Sequence, residues 1–291
     1  MKVLVTGGNG QLGTELAVVL GAAGDDVLLA TSNDLDVSDR ELVHQVFGAV
    51  RPEVVIHAGA WTDVDGCELD PQRAYFINSL GTRHVAEAAH NIGARVVYVS
   101  TDYVFDGRGT GADGGGAYCE WDTPNPMSHY GRSKLGGEHE LQAILGADAT
   151  IVRTSWVVGR FGNNFVKTML RVAADPTKDR VAVVNDQRGC PTFTADLAPM
   201  LRRLAVARIP GLFHVTNEGP VTWCEFARAI FSVGGFDPGR VVPISTSELL
   251  PVRPAPRPSV SVLDNAALRG CGLGVMAEWG PSLRAVVAAL T

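Results

Sequence analysis

The sequence predicts an α/β protein in which a doubly wound parallel sheet is joined to a smaller, discontinuous α/β substrate domain. Three observations lead to this prediction. Short β-rich runs alternate with helical patterns as far as the strand Ala149–Arg153, as in sheets whose parallel strands are connected by helices. A glycine-rich turn directly follows the first of these runs. After Arg153 the alternation loosens into polar, aromatic and glycine-punctuated segments, of which Thr154-Ser-Trp156 is the first, a composition typical of ligand-contacting loops.

The chain is long enough for two domains, with 291 residues. We expect residues 1–157 to form the first domain. A helix near Ala195–Ala205 and a strand at Leu212–Thr216 have the pattern of a return to its sheet, so residues 193–217 should complete it. Residues 158–192 and 218–291 should then form mainly the second, substrate-binding domain.

Composition excludes several classes of partner. The formal net charge of −6 argues against nucleic-acid or anionic-membrane binding. No apolar run approaches the length of about 18 residues that a membrane span needs. The N-terminus reaches a glycine cluster too soon for a signal peptide. The five cysteines are far apart and odd in number, as expected of reduced thiols in a cytoplasmic protein.

The first strand, Val3–Val5, leads into the sequence TGGNGQLG and then into a helical pattern. Glycines at this spacing permit a tight turn, and they let backbone amides approach a pyrophosphate at the helix N-terminus, where the dipole favours negative charge. This order predicts a Rossmann-type dinucleotide-binding turn rather than a merely flexible one. The expected cofactor contacts are Gly7, Asn9, Gly10, Gln11, Leu12 and Gly13.

The second strand, Val27–Ala30, bears on the choice of cofactor. It ends in Ala30-Thr-Ser-Asn33, without the carboxylate that commonly holds the ribose 2′-hydroxyl of NADH. The nearest arginine is Arg40, so no adjacent cation binds a 2′-phosphate. The missing carboxylate favours NADPH slightly, and NADH is the alternative because no arginine is adjacent. Asp36 and Val37 are the next expected cofactor contacts, although Asp36 fits a turn almost as well.

The third strand, Val54–His57, leads into Ala58, Gly59 and Ala60. These small residues let the backbone approach a cofactor, so all three are expected contacts. His57 could be an acid–base group, but a histidine at a strand end beside a cofactor is more often packed and neutral. We therefore expect a structural role for His57.

The fourth strand, Arg95–Ser100, ends in Thr101 and Asp102, at the sheet edge where doubly wound folds bind their ligands. Tyr130 and Lys134 follow on a predicted helix, four residues apart and therefore on one face. A neighbouring ammonium should lower the pKa of the phenol and prepare it for proton transfer. The spacing alone is more typical of an exposed lysine and a half-buried tyrosine, so the assignment depends on the surrounding motifs.

Other segments carry local predictions. Residues 71–90 are predicted to be helical, and Ser38–Glu41 and Thr222–Glu225 are predicted to cap helices. The glycine-rich stretch 107–116 is expected to be an inert flexible insertion, with a lid over the substrate as the alternative. Arg257 lies in a proline-rich extended stretch, where it could meet a phosphate or be a surface residue of a linker.

The assembled motifs TGGNGQLG, STDYVFDG (100–107) and YGRSK (130–134) resemble the extended short-chain dehydrogenase/reductase superfamily. The later segments RTSWVVG (153–159), GNNFVKTML (162–170), NDQRGCPT (185–192) and RPSVSVLD (257–264) are similar to the dTDP-4-dehydrorhamnose reductase family. The resemblance covers nearly the whole chain. Its second half is the more specific part, because that half is expected to choose the substrate.

The resemblance implies that Thr101, Tyr130 and Lys134 are catalytic. Tyr130 would protonate the C4 keto oxygen, Lys134 would hold the nicotinamide ribose, and Thr101 would hydrogen-bond the same oxygen while NADPH delivers hydride. The implied reaction converts dTDP-4-dehydro-6-deoxy-L-mannose (dTDP-4-dehydro-L-rhamnose) to dTDP-L-rhamnose. The implied substrate contacts are Val64, Asp102, Tyr103, Trp156, Asn164, Gln187 and Arg257.

Alternatives and departures accompany this resemblance. Another dTDP-4-keto-6-deoxysugar is the alternative substrate, and a non-catalytic dinucleotide-binding regulatory subunit, as in methionine adenosyltransferase, is the alternative function. Tyr103 stands where related dehydratases have glutamate, which argues against dehydration.

Glu15 matches a magnesium ligand of some members of the family, but Ala195 and Ala289 replace the other ligands, so no shared metal is expected. The chain is expected to be a monomer or homodimer. His57-Ala-Gly59 replaces the family's N-A-A and leaves the cofactor geometry there open.

Overall fold

A computed structural model describes residues 1–110 and 116–290. The strands are β1 (Lys2–Thr6), β2 (Asp26–Ala30), β3 (Val54–His57), β4 (Arg95–Thr101), β5 (Ala149–Thr154), β6 (Val157–Val158), β7 (Val181–Val184), β8 (Arg188–Gly189), β9 (Thr192–Phe193), β10 (Gly211–His214), β11 (Val221–Thr222) and β12 (Val241–Ile244). The helices are α1 (Gln11–Ala22), α2 (Arg40–Val50), α3 (Val64–Leu69), α4 (Pro71–Tyr75), α5 (Gly81–Ile92), α6 (His129–Leu145), α7 (Phe165–Ala174), α8 (Thr194–Ala207), α9 (Trp223–Val233), α10 (Ala266–Gly270) and α11 (Trp279–Leu290).

The central sheet is parallel and has the strand order β10-β5-β4-β3-β1-β2. The predicted return of the chain to this sheet is confirmed, since β10 pairs with β5 and α8 precedes it. The observed strand is Gly211–His214 rather than Leu212–Thr216, a small shift at its ends. The predicted α/β class with a parallel central sheet is therefore correct.

Helices cover both faces of the sheet. On one face, Leu16 of α1 and Leu201 of α8 are fully buried among the strand residues. On the other face, Phe47 of α2, Val85 of α5 and Leu141 of α6 are fully buried. Each such side chain contributes about 1.5–3 kcal/mol of transfer free energy, so the sheet is held by two apolar layers, as in a doubly wound fold.

A third apolar cluster is built from residues that follow β5. It combines α7, α9 and α11 with the two-stranded parallel pair β7–β12. Phe226 and Ile230 of α9 are its fully buried centre. The predicted capping box is present at the start of α9: Thr222 Oγ1 accepts from Glu225 N, and the Glu225 carboxylate accepts from Thr222 N.

One local prediction is wrong. The box Ser38–Glu41 does not cap α2; Asp39 is the N-cap and accepts from Leu42 N at 3.1 Å. The helix begins one residue later than predicted, and the Ser38 hydroxyl donates to Asp36 Oδ1 at 2.7 Å instead. Residues 71–90 are helical as predicted, although a π-helical turn, Phe76–Leu80, separates α4 from α5. Residues 111–115 of the glycine-rich stretch lie outside the described residues, and with them the choice between insertion and lid.

The glycine turn after β1 generates a stability prediction with a control on the same helix. A Cβ at Gly13 would run into the carbonyl oxygen of Gly7, whereas a Cβ at Gly21 would meet nothing within 4 Å. We expect Gly13→Ala to lower the free energy of unfolding by about 1–3 kcal/mol, as overpacking does. We expect Gly21→Ala to raise it by about 0.5–1 kcal/mol, because alanine is the better helix former. Urea unfolding measures both, and a neutral Gly13→Ala would contradict the tight packing.

Candidate active site

A cleft of about 440 Å³ lies at the edge of the sheet where the carboxyl ends of the parallel strands meet. This is where doubly wound folds bind their ligands. The predicted residues that line it are Gly7, Gly10, Gln11, Leu12, Gly13, Ala58, Ala60, Val64, Thr101, Asp102, Tyr103, Tyr130, Lys134 and Trp156. The fold thus brings the predicted dinucleotide turn and the predicted catalytic residues into one space.

The glycine turn has the geometry of a pyrophosphate cradle. Gly7 has a φ of 69°, and a Cβ there would lie 2.9 Å from Gly59 Cα. Gly10 precedes α1 and caps it with no side-chain hydrogen bond, so the first amides of the helix are free to bind an anion. The residues present therefore fit a dinucleotide.

The remaining predicted cofactor contacts do not line the cleft. Gly59 packs behind the turn against Gly7, and Val37 packs against Gly81. Asn9 is exposed on the turn. Asp36 accepts hydrogen bonds from the backbone and hydroxyl of Ser38, in a turn of its own. Contacts between these four residues and a cofactor stay predictions.

Lys134 is buried on the floor of the cleft. Its Nζ donates to the Val99 carbonyl at 2.8 Å and lies 4.1 Å from the centroid of the Tyr98 ring. Burial lowers the pKa of Lys134 to about 7, and the charge of Glu138 partly offsets that effect. The ammonium is thus held by a carbonyl dipole and an aromatic face.

Tyr130 is also buried, and it contacts Tyr103 edge-on with ring centroids 5.6 Å apart. Burial raises the pKa of Tyr130 well above its usual range. The expected lowering of this pKa by Lys134 is wrong for this structure, because the Lys134 ammonium is directed to Val99 and Tyr98. A phenol that keeps its proton at neutral pH can act as a proton donor.

Thr101 and Asp102 form a polar pair at the end of β4. Thr101 Oγ1 donates to Asp102 Oδ1 at 3.0 Å and accepts from Tyr103 N at 3.2 Å. Asp102 is buried, and its Oδ2 has no hydrogen-bond partner among the described residues. Burial raises the pKa of Asp102 to about 6, so this carboxyl is partly protonated close to neutral pH.

The helix that carries Tyr130 and Lys134 is fixed by a buried ion pair. Arg153 of β5 donates to Glu138 of α6 through Nε at 3.0 Å and Nη2 at 2.7 Å. Ser100 of β4 donates to the same carboxylate at 2.5 Å. Both charged side chains are less than 5% exposed. The pair therefore locks α6 onto β4 and β5 directly behind the cleft.

Asn78 is a positioning residue that the sequence did not single out as part of the site. It lies on the π-helical turn, where Nδ2 donates to Ser133 Oγ and to the Trp61 carbonyl, and Oδ1 accepts from Trp61 N. The amide thus ties α6 to the segment that follows β3. Single π-turns often mark functional sites, but their position depends on tertiary contacts that sequence periodicity does not reveal.

A second cavity, of about 480 Å³, adjoins the cleft. Of the predicted substrate contacts, Gln187 and Arg257 line it, and Tyr103 lines both spaces. Arg257 Nη1 and Nη2 donate to the two carboxylate oxygens of Asp65 at 2.6 and 2.8 Å. These hydrogen bonds lower the pKa of Asp65 to about 2. Arg257 is thus a paired, largely buried side chain, and its contact with a phosphate stays a prediction.

Asn164 lines neither space. Its Oδ1 caps α7 by accepting from Lys167 N, and its Nδ2 donates to Gly159 O and to Gln11 Oε1. Because Gln11 lines the cleft, Asn164 supports the cofactor turn from behind. Direct contact between Asn164 and substrate stays a prediction.

His57 has the expected structural role. It is fully buried, with Thr6 Oγ1 at 2.7 Å from Nδ1 and Thr82 Oγ1 at 3.2 Å from Nε2. Burial lowers the pKa of His57 to about 3, so the ring is neutral. The ring connects Thr6 of β1 to Thr82 of α5, at the position where the family described above usually has asparagine.

Glu15 is not arranged to bind magnesium. Its side chain is buried, and its two carboxylate oxygens accept from Arg160 Nη2 at 3.0 Å and Thr194 Oγ1 at 3.1 Å. Within residues 1–110 and 116–290, no group of three or more acidic, histidine or cysteine side chains could hold a metal ion. The residues around Glu15 do not fit the metal, because an arginine already neutralises the carboxylate.

The fold and the site together define a class. A buried phenol, a buried ammonium and a hydroxyl stand beside a dinucleotide cradle at the carboxyl edge of a parallel sheet. This is the arrangement of a dinucleotide-dependent oxidoreductase of the Rossmann type.

Comparison with known proteins gives the family. The model of the RmlD substrate binding domain family matches residues 1–291. A dTDP-4-dehydrorhamnose reductase of Mycobacterium tuberculosis is 42% identical over 296 residues, 99% of this chain and 93% of that protein. The chain belongs to the RmlD substrate binding domain family.

Solved structures agree with this membership. The dTDP-4-dehydrorhamnose reductase of Clostridium acetobutylicum superposes with a TM-score of 0.93 at 41% identity, covering 100% of this chain and 99% of that one. The Bacillus anthracis reductase in complex with NADP superposes with a TM-score of 0.92 at 38% sequence identity, covering 99% of this chain and 100% of that one.

No helix in the described part of the chain is long and apolar enough to cross a bilayer.

Thr154, at the end of β5, lines the cleft but was not among the individually predicted contacts. It is buried, and its hydroxyl has no hydrogen-bond partner among the described residues. Thr150 on the same strand is equally buried, but its hydroxyl donates to the Ile209 carbonyl at 2.8 Å. An unpartnered buried hydroxyl costs free energy, whereas a partnered one contributes it.

This contrast predicts opposite effects of one substitution. Thr154→Val should raise the free energy of unfolding by about 1 kcal/mol, because it removes an unpaired polar group. Thr150→Val should lower it by about 1 kcal/mol, because it leaves the Ile209 carbonyl without its donor. Denaturant unfolding of the two variants measures the difference. Equal destabilisation by both would show that the Thr154 hydroxyl has a partner in solution.

Proposed function

We propose that this protein reduces the C4 keto group of dTDP-4-dehydro-L-rhamnose to dTDP-L-rhamnose with NADPH as the hydride donor. The observation that carries the proposal is the position of Tyr130 and Thr101 in one cleft with the glycine turn. The relatives described above, named as reductases of this substrate, support it.

Tyr130 is proposed to be the proton donor. When bound, the reduced nicotinamide supplies hydride to the carbonyl carbon. The keto oxygen then gains negative charge, which a proton donor and a second hydrogen bond stabilise. Tyr130 keeps its proton because burial raises its pKa.

Thr101 and Lys134 are proposed to act beside it. A threonine hydroxyl has one proton to donate, and here Thr101 gives it to Asp102. Hydrogen bonding to the keto oxygen therefore requires that the Thr101 hydroxyl rotates away from Asp102. Lys134 is proposed to hold the nicotinamide ribose, next to the Val99 carbonyl that it already contacts.

The two adjoining spaces support a substrate with two parts. The sugar is proposed to occupy the cleft among Val64, Asp102, Tyr103 and Trp156, close to Tyr130. The nucleotide is proposed to occupy the second cavity, where Gln187 and Arg257 lie. A guanidinium fork suits a diphosphate, although Arg257 must then share its donors with Asp65.

NADPH is proposed over NADH. The B. anthracis relative was solved in complex with NADP. In this chain the first carboxylate after β2, Asp34, accepts from the Thr31 amide and hydroxyl, so it is used in a turn. The proposal includes the cytoplasmic location and the monomeric or homodimeric state expected from the sequence.

Tyr130→Phe tests the role of the phenol. We expect kcat with dTDP-4-dehydro-L-rhamnose to fall by about 10²–10⁴-fold, the usual contribution of a general acid. NADPH affinity, followed by cofactor fluorescence, should change little. Tyr75→Phe is the matched control, because Tyr75 is exposed and lines neither space.

Two outcomes would contradict the proposal in different ways. Equal NADPH consumption by Tyr130→Phe and wild type would remove Tyr130 from the mechanism. Failure of the wild-type protein to consume NADPH with any dTDP-4-keto sugar would instead favour a non-catalytic dinucleotide-binding subunit.

A further inference from the structure

The cleft and the second cavity share two aromatic side chains. Tyr103 and Trp223 are the described residues that line both spaces. A ligand that occupies both spaces would therefore contact these two side chains in the passage where the spaces join. Tyr103 is in edge contact with Tyr130, so one side of this passage adjoins the proposed proton donor.

The other side of the passage is a stacked pair of indoles. The rings of Trp223 and Trp156 are 3.6 Å apart at their centroids, with 8° between their planes. Trp223 is the first residue of α9, and the capping box Thr222/Glu225 fixes that end of the helix. Phe165 packs edge-on against Trp223 with centroids 4.6 Å apart. Trp223 is thus a rigid wall rather than a free side chain.

Trp156 is held in an unfavourable backbone conformation. Its φ is 46°, a left-handed value that bulky residues rarely adopt and that persists only where the surroundings enforce it. Its ring is confined on one side by Gly189, where a Cβ would lie 2.6 Å from Trp156 Cε2. On the other side lies Trp223. The stack with Trp223 therefore holds Trp156 at the cleft surface.

We propose that Trp223 is a specificity-determining residue, which positions Trp156 against the sugar and narrows the passage to the second cavity. A substrate fills both spaces with C4 of its sugar beside Tyr130 only if a narrow linker joins the sugar in the cleft to the nucleotide in the second cavity. Binding at the distant nucleotide then improves the placement of the reacting carbon. This inference rests on the proposed function and extends it, because it names the residue that enforces a nucleotide-linked substrate.

The test compares two substrates with the same 4-keto sugar, one linked to dTDP and the other a methyl glycoside. For Trp223→Ala, kcat/KM with the dTDP-linked substrate should fall by about tenfold, the upper range of an aromatic stack. With the methyl glycoside the fall should be smaller, about twofold, because that substrate loses only the support that Trp223 gives to Trp156 and does not use the passage. The preference for the nucleotide-linked substrate should therefore shrink by about fivefold or more.

Trp279→Ala is the matched control. Trp279 is also half-buried, begins α11, and packs on Phe226 as Trp223 does, but it lines neither space. It should cost similar thermal stability and leave the substrate preference unchanged. Trp223→Phe, which keeps an aromatic face, should restore most of the preference if Trp223→Ala folds poorly.

Each result decides the inference. An active wild type whose preference is unchanged in Trp223→Ala would overturn it while leaving the proposed function intact, as would an equal loss of preference in Trp279→Ala. A wild type inactive on the dTDP-linked sugar would overturn the proposed function, and this inference with it.

Discussion

The active-site geometry depends on the buried ion pair between Arg153 and Glu138. It connects α6, which carries Tyr130 and Lys134, to β5, and Ser100 adds β4 to the same carboxylate. A buried pair of this kind contributes little net stability, but loss of one partner costs about 3–5 kcal/mol because the other charge is left uncompensated. Here the pair fixes the position of α6 relative to β4 and β5. The Tyr130 phenol on the helix is therefore held at a fixed distance from the polar ends of the two strands.

The same burial that holds the site also sets its protonation. It raises the pKa of Tyr130 and lowers that of Lys134, since a dry environment disfavours either charged form. The phenol therefore keeps the proton that it is proposed to donate, without help from the lysine. Thr101 contributes a hydroxyl whose direction Asp102 controls. The site thus combines a fixed scaffold with a few groups whose protons can move.

Features of the site that depend on residues close together in the chain could be predicted from the sequence, whereas features that depend on contacts between distant residues could not. The glycine turn, the end of β4 and the Tyr130/Lys134 spacing were predictable because each is local or follows from strand order. The direction of the Lys134 ammonium was not, since it depends on the Val99 carbonyl of β4, 35 residues earlier in the chain. The Arg257–Asp65 pair joins residues far apart in the chain. Trp223 belongs to a helix-capping motif, and its position beside both cavities depends on residues far away in the chain. Asp39 rather than Ser38 caps α2.

The central claim is that hydride reaches C4 of a dTDP-linked 4-keto sugar in the cleft that contains Tyr130. NMR of the product formed from dTDP-4-dehydro-L-rhamnose and NADPH deuterated at the transferring nicotinamide position tests it most directly. The account predicts dTDP-L-rhamnose with deuterium at C4 and nowhere else on the sugar. A product epimeric at C4, deuterium at another carbon, or no deuterium transfer would contradict it.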